Sequence, residues 1–253
     1  MIREVNEPAR IIHNDQGNYR FIALDGRPFS GGAVADPGYD IVHARFVRPV
    51  PLEQGLKAAE RVVAEAGRPV LALAGFELRI PAPMTIDAFA TFNQGYVERL
   101  RELGLHVDAL MPAARTNVAV AAPDITEPSL YALSYTTPTV IRGDRKAFGL
   151  SGIPEEERSD PATMLDSIMN AILERMTALE VSWDDVTEIQ IYGVELTQPV
   201  IEDRVLRRAG RAAVQGIHWF PALPPIDSLT LEVDVRGAGT QLILESGDAA
   251  RSD

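Results

Sequence analysis

The sequence predicts an α+β fold made of two tandem domains, each a mixed β-sheet with two helices packed on one face. Three observations predict it. The 253 residues allow about 1.7 domains at about 150 residues each. The chain is 46% hydrophobic and 24% charged, close to the average soluble globular protein. Its periodic segments run β-α-β-α-β-β once before Arg142 and again after it. A single larger α/β domain whose order repeats by chance is the alternative. The division falls at 1–140 and 141–253, with no Pro/Gly linker beyond TTPTVIRGDR at 136–145, so the halves are expected to pack tightly.

Each element has a local reason. Residues 1–27 read as a short antiparallel start, with NDQG at 14–17 as the turn. YDIVHARFVRPV (39–50) is a strand stopped by Pro49 and Pro51. Leu52, Leu56, Ala59 and Val63 then fall on one helical face, and Gly67 sits where a helix C′ residue belongs. LALAGFELRI (71–80) is a strand. Thr85 caps a second helix whose Phe89, Phe92, Tyr96 and Leu100 form one stripe, with Gly104 as its stop. ARTNVAVAA and SLYALSYT follow as strands. In the second half, KAFGLSGIP (146–154) is a strand, and Asp160 and Pro161 open a helix with Leu165, Ile168, Ile172 and Met176 inward. VTEIQIYGVEL is a strand, VIEDRVLRRAGRAAV a helix, GIHWFPAL and SLTLEVDVRG strands, and LESGDAARSD a loose tail.

Composition narrows the function. A net charge of −12 repels a phosphate backbone, which argues against nucleic-acid binding. There is no cysteine, so disulfides, thiolate zinc sites and cysteine nucleophiles are excluded. His13, His43, His106 and His218 form no HxH or HExxH spacing, so no metal is expected. No apolar run reaches the roughly 18 residues of a membrane span, and the N-terminus lacks a signal-peptide core; the expectation is a cytoplasmic chain with no membrane partner. FSGGAV at 29–34 lacks the residues of a P-loop or dinucleotide fingerprint, and GLSGIP matches a nucleophile elbow only loosely.

Arg115 is the leading candidate. It opens the apolar strand TNVAVAA, where a charge needs a partner, and a guanidinium there suits a bidentate hold on a carboxylate. A structural salt bridge is the other reading. His43, inside IVHARF, is either a general base or a satisfied core histidine. Asn93 and Tyr96 share the apolar face of the second helix, where an asparagine suggests a polar task.

Residues 86–120, with DAFATFNQGY and PAARTNV, resemble the helix and arginine strand of the reactive-intermediate deaminase (Rid, or YjgF) family. RPFSGGAV resembles that family's G-P-Y-S-Q-G-V, and FGLSGIP, SWDDVTEIQIY and LPPIDSLTLEVDVRG extend a weaker likeness through the second half. The resemblance implies two chorismate-mutase-like domains of YjgF type. It implies cofactor-free hydrolysis of an enamine or imine amino acid to ammonia and a 2-oxo acid, and a trimer or hexamer with sites between domains. A 2-aminomuconate-type substrate of aromatic catabolism fits a specialised tandem chain; a chorismatase-like hydrolase and a non-catalytic carboxylate-binding protein are alternatives. Residue by residue, the resemblance gives Arg115 the substrate carboxylate, Asn93 and Phe29 the substrate, and Asn117 the attacking water. Gln215 falls at the arginine position of the second half. For the family's glutamate, Glu127 is the nearest carboxylate in the first half, with Tyr131 beside it, and Glu232 stands nearest in the second, beside Thr230. His43 replaces a small residue. Arg45 or Arg79 could hold a second substrate carboxylate.

Overall fold

The computed structural model describes residues 9–120, 125–139, 143–155 and 160–245. The first half supplies strands β1 (Arg10–Asn14), β2 (Tyr19–Ala23), β3 (Ser30–Ala35) and β4 (Tyr39–Pro51), then helix α1 (Leu52–Glu65) and β5 (Leu73–Ile80). Helix α2 (Ile86–Glu102), β6 (Ala114–Val120) and β7 (Ser129–Pro138) complete it. The second half begins with β8 (Phe148–Leu150), β9 (Ile153–Pro154), α3 (Pro161–Ala178) and β10 (Glu188–Gly193). Next come two helical pieces, α4 (Gln198–Ile201) and α5 (Arg207–Ala209), joined by a π turn at 202–206. β11 (His218–Phe220), β12 (Ala222–Leu223), β13 (Leu231–Gly237) and β14 (Thr240–Leu244) follow.

These strands form two mixed sheets, so the coarse α+β expectation stands. One sheet is ordered β1-β2-β3-β8-β13-β10-β11 and the other β12-β6-β5-β7-β4-β14. Within the first half the order is β4-β7-β5-β6, and within the second it is β8-β13-β10-β11. Both runs read antiparallel, antiparallel, parallel. Neither sheet is built from one half alone. β1 to β3 join the second-half sheet through β3–β8, while β12 and β14 cross back to pair with β6 and β4.

The capping signals act as the sequence predicts. Thr85 accepts from Ala88 N–H, Asp160 accepts from Ala162 and Thr163 N–H with Pro161 behind it, and Gly67 and Gly104 take positive φ just past their helices. Other boundaries differ. β4 continues through Pro49 and Pro51, because its pairing with β7 shifts register between Arg45 and Val50 and the bulge accommodates the prolines. The expected strand 146–154 breaks into β8 and β9, and a strand not expected from the sequence, β14, precedes the loose tail, shares only Leu244 with it and pairs parallel with β4. The rest of that tail, and part of the 136–145 joint, lie outside the described residues.

Each sheet buries its apolar face under its own helices. Val42, Phe46, Phe76, Leu78, Leu130 and Leu133 pack beneath Leu56, Val63, Tyr96 and Leu100. Ile189, Ile191, Val233 and Val235 pack beneath Leu165, Ile168, Ile172 and Met176. At ~1.5–3 kcal/mol per large side chain, these two layers supply most of the hydrophobic stabilisation. The opposite faces of the sheets meet each other through polar side chains. No helix among the described residues is long and apolar enough to cross a membrane.

Candidate active site

Alternation along β6 sends neighbouring side chains to opposite faces. Thr116 Oγ1 donates to Asp234 Oδ2 of the facing sheet at 2.7 Å, and Val118 packs with Tyr192 and Ala222. Arg115 and Asn117 therefore point the other way, toward α2. There the Arg115 guanidinium lies among aromatic rings, 4.6 Å from the centre of Phe29, 4.8 Å from Tyr96 and 5.8 Å from Phe89. Phe89, Phe92, Asn93 and Tyr96 recur at helical spacing on the face of α2 that meets the sheet. Phe29 is brought in by a parallel bridge to Met111.

This box is polar where it should be satisfied and is not. Arg115 Nη1, Asn93 Oδ1 and both amide atoms of Asn117 are sealed from solvent without a hydrogen-bond partner. An unpaired buried polar atom costs about 1–3 kcal/mol, more when charged. Burial also depresses the Arg115 guanidinium below its ordinary value. Aromatic faces ease the charge but offer no acceptor. Such a cluster is what a site awaiting an anion looks like.

The facing sheet supplies the carboxyl. Arg115 N–H donates to Ser151 Oγ, and Gly152 N–H donates to Arg115 O at 3.1 Å. Glu232 lies directly over Gly152: a Cβ there would stand 1.8 Å from Glu232 Oε1, so only glycine admits the carboxyl. Burial, then the neighbouring Asp234, raises Glu232 to about 8, against the pull of Arg115, Arg79 and Arg175. Glu232 is thus a protonated acid at neutral pH. Arg175 of α3 flanks the same segment, donating through Nη1 to Ser151 O at 3.0 Å and Gly31 O at 3.1 Å. The Ser151 hydroxyl donates to Ser30 O, so its task is to tie β3 to the site rather than to act as a nucleophile.

The structure brings together Arg115, Phe29, Asn93, Tyr96, Asn117 and Glu232. It sets Glu127 apart, and it places His43 on a cleft between the sheets that Glu77, Arg115, Thr116 and Arg236 also line. His43 lies between the sheets, where Arg236 Nη1 donates to Nε2 at 2.7 Å and Ser134 Oγ lies 3.0 Å from Nδ1. Burial, then Arg236, lowers it to about 4, so it is neutral and occupied rather than poised as a base for this site. Glu127 is exposed in the loop before β7, at the Arg79 end of the sheet; Arg115 pairs with Phe76 at the other. Arg79 points between the sheets, donating to Glu77 at 3.0 Å and lying over Tyr131, Tyr192 and Phe220, on the opposite face from Arg115. Arg45 is at the surface beside Tyr131. Neither can serve Arg115's ligand.

Arg175 is the cation that sequence reasoning missed. It sits seven residues after Ile168 and three after Ile172, a charge on the buried stripe of α3, and that misfit was its signal. Phe89 was read only as core. Gln215 is exposed before β11, and that short strand, His-Trp-Phe, holds no arginine.

Comparison with known proteins follows from this geometry. The chain is 34% identical over 245 residues to a 2-amino-5-chloromuconate deaminase of Comamonas testosteroni, covering 90% of this chain and 96% of that protein. Among solved structures it is similar to a chorismatase, at 12% identity over 91% of this chain and 80% of the other, with a TM-score of 0.47. It is also similar to a cyanuric acid hydrolase, at 10% identity over 81% and 69%, with a TM-score of 0.42. The 2-aminomuconate deaminase CnbZ family matches residues 11–242. That match overturns assignment to the Rid/YjgF family, which rested on short motifs around α2 and β6 while this one runs through both halves. The coarser expectation of a deaminase stands, and the chain belongs to the 2-aminomuconate deaminase CnbZ family.

Proposed function

We propose that the chain hydrolyses a 2-aminomuconate-type enamino dicarboxylate, releasing ammonia and the 2-oxo acid, at the site between Arg115 and Glu232. The observation that carries this reading is the set of sealed, partnerless polar atoms of Arg115, Asn93 and Asn117 beside a protonated carboxyl. Arg115 takes the carboxylate next to the amino-bearing carbon in a charge-assisted pair. Arg175, whose hydrogen bonds among the described residues run through Nη1 alone, faces the distal carboxylate.

The chemistry then needs one water and one shuttling proton. Glu232 gives its proton to the enamine carbon, turning the C–N bond into a C=N bond beside the clamped carboxylate. Asn117 and Asn93 hold water against the carbon of that C=N bond, not the carbon just protonated, and the Glu232 carboxylate takes a proton from the water as the C–O bond forms. The same proton returns to nitrogen, the C–N bond breaks to release ammonia, and the Glu232 carboxylate takes the proton of the new hydroxyl as the 2-oxo group forms, which restores the protonated acid. Enamine plus water thus gives 2-oxo acid plus ammonia. No step calls for a metal or cofactor, and activity that survives exhaustive chelation supports that part.

The activity for which the family is named and that of the 34% identical relative support the substrate class. We also propose that residues 1–140 and 141–253 are two domains that have exchanged edge strands, and that the chain works in the cytoplasm as a homo-oligomer, a trimer or hexamer. Ile86, 66% exposed at the start of α2 beside the aromatic box, is a surface that assembly would cover. Light scattering that gives a monomer overturns the oligomer.

Ammonia release from 2-aminomuconate by wild type and Arg115→Ala tests the reaction. Losing one partner of a desolvated charge pair costs about 2–5 kcal/mol, so kcat/KM falls roughly 30- to 5,000-fold. Equal turnover in the variant moves the reaction elsewhere. Binding of the 2-oxo acid without ammonia release from wild type makes the chain a carboxylate-binding protein.

A further inference from the structure

Five side-chain atoms among the described residues are sealed and partnerless, and the fifth lies on the other sheet from Arg115. It is Glu188 Oε2, on the inward face of β10. Glu188 is 8% exposed, and its other oxygen is used twice, by Gln190 Nε2 and His218 Nδ1, both at 2.8 Å. The cation nearest Oε2 is Arg236 Nε at 3.9 Å, beyond hydrogen-bond reach.

Glu188 lines a cavity of about 190 Å³ between the two sheets, walled by Arg45, Tyr131, Gln190, His218, Phe220 and the β14 strand. That volume holds about six waters, the bulk of a small amino acid. Its charges are split. On one wall the Glu188 carboxyl, although buried, is kept below its ordinary value by Arg236 and then His43, so it is an anion; its unpartnered Oε2 is sealed in this structure and meets a ligand once the side chain turns toward the cavity. On another, the exposed Arg45 guanidinium makes a 3.4 Å contact to Tyr131 Oη among the described residues. A bare cation leaves Arg45 idle and a bare anion meets Glu188. A molecule carrying both an ammonium and a carboxylate answers both walls. The Phe220 ring and Leu242 give its short carbon frame an apolar seat.

We infer that this cavity is a second ligand site, separate from the Arg115 box, that takes a small zwitterionic amino acid with its ammonium on Glu188 and its carboxylate on Arg45. The cavity joins both sheets through β4, β7, β10 and β14, so occupying it ties the C-terminal strand to the body of the first half.

Titration calorimetry on the full chain with L-alanine tests the site, with acetate and methylammonium as single-charge probes. Saturable L-alanine binding is expected, with each single-charge probe at least about tenfold weaker, since each leaves one wall unpaired. Arg45→Met, a surface change that leaves the fold alone, and Glu188→Gln each weaken L-alanine at least about tenfold, while Arg115→Ala leaves its affinity unchanged. Failure of wild type to bind L-alanine overturns the inference. So does equal binding by Arg45→Met, or loss of binding in Arg115→Ala, which would place the amino acid in the deaminase site instead.

Discussion

The two halves share one strand order and one pattern of directions, yet they carry opposite chemistry. In the first half the third strand, β6, is seven residues long, lies under the 17-residue α2, and brings Arg115 and Asn117 to that helix. Its counterpart β11 is three residues of His-Trp-Phe, preceded by helical fragments with a π turn. The closing strands reverse the relation. β13 turns Glu232, Asp234 and Arg236 inward, whereas β7, SLYALSYTTP, holds no carboxylate. The first half thus holds Arg115, and the second holds the acid together with Arg175. Residues from both halves meet at one site because β3, β12 and β14 pair across the halves.

The sharpest way to break this division is at its acidic side. Glu232→Gln keeps the shape and a hydrogen-bond donor but cannot shuttle a proton, so kcat falls about 10²–10⁴-fold. In wild type, kcat declines as pH rises through about 8, because the protonated form is the one that starts the reaction; the variant's residual rate lacks that limb. Stability moves the same way. The folded-state value lies above the ordinary one, so the folded chain holds more protons between roughly pH 4.5 and 8 and loses stability as pH rises across that window. Glu232→Gln therefore melts higher than wild type at pH 9, with a smaller gap at pH 6. A variant that loses activity and melts lower at both values would make Glu232 structural.

A smaller effect is expected at Arg175, which tests whether the second half also supplies substrate selectivity. Arg175→Gln retains a donor for Gly31 and Ser151 carbonyls but removes the charge. KM for a dicarboxylate should rise about tenfold while that for a monocarboxylate enamine stays put, the loss of one exposed-to-partly-buried charge contact. Equal rises for both substrates would mean that the arginine only holds the segment.

The helices, their caps and the repeated order were legible in the sequence because periodicity, Thr85, Asp160, Pro161, Gly67 and Gly104 are local signals. Arg115 and Asn93 were legible as candidates because a charge or amide on an apolar face violates its surroundings, whereas Phe29 was a candidate only through the family resemblance. The exchange of β1–β3, β12 and β14 was not, since strand pairing is chosen by distant partners. The same reason hid Glu232's role. Its alternation with Asp234 and Arg236 marks an inward polar face, but only the packing shows that Gly152 lets its carboxyl reach Arg115's strand. Glu127 attracted attention by spacing alone, and an exposed loop left it unused.

His43 gives the finest test of the contrast between the halves. It is one of the first half's inward-facing titratable groups, set against the second half's Arg236 and Glu188 and beside Glu77, whose carboxyl is drawn down to about 2 by Arg236 and then Arg79 despite burial. Because its folded value of about 4 lies below the ordinary 6.5, the unfolded chain takes up the proton first as pH falls. Stability is therefore lost between about pH 6.5 and 4. His43→Gln still offers Arg236 an acceptor and removes the proton site, so melting temperature falls less steeply across that window. Its kcat at pH 7 stays within about twofold of wild type, because the imidazole serves the seam between sheets and not the Arg115 site. A large loss of kcat with an unchanged acid limb would return His43 to the chemistry and break the assignment of the proton to Glu232.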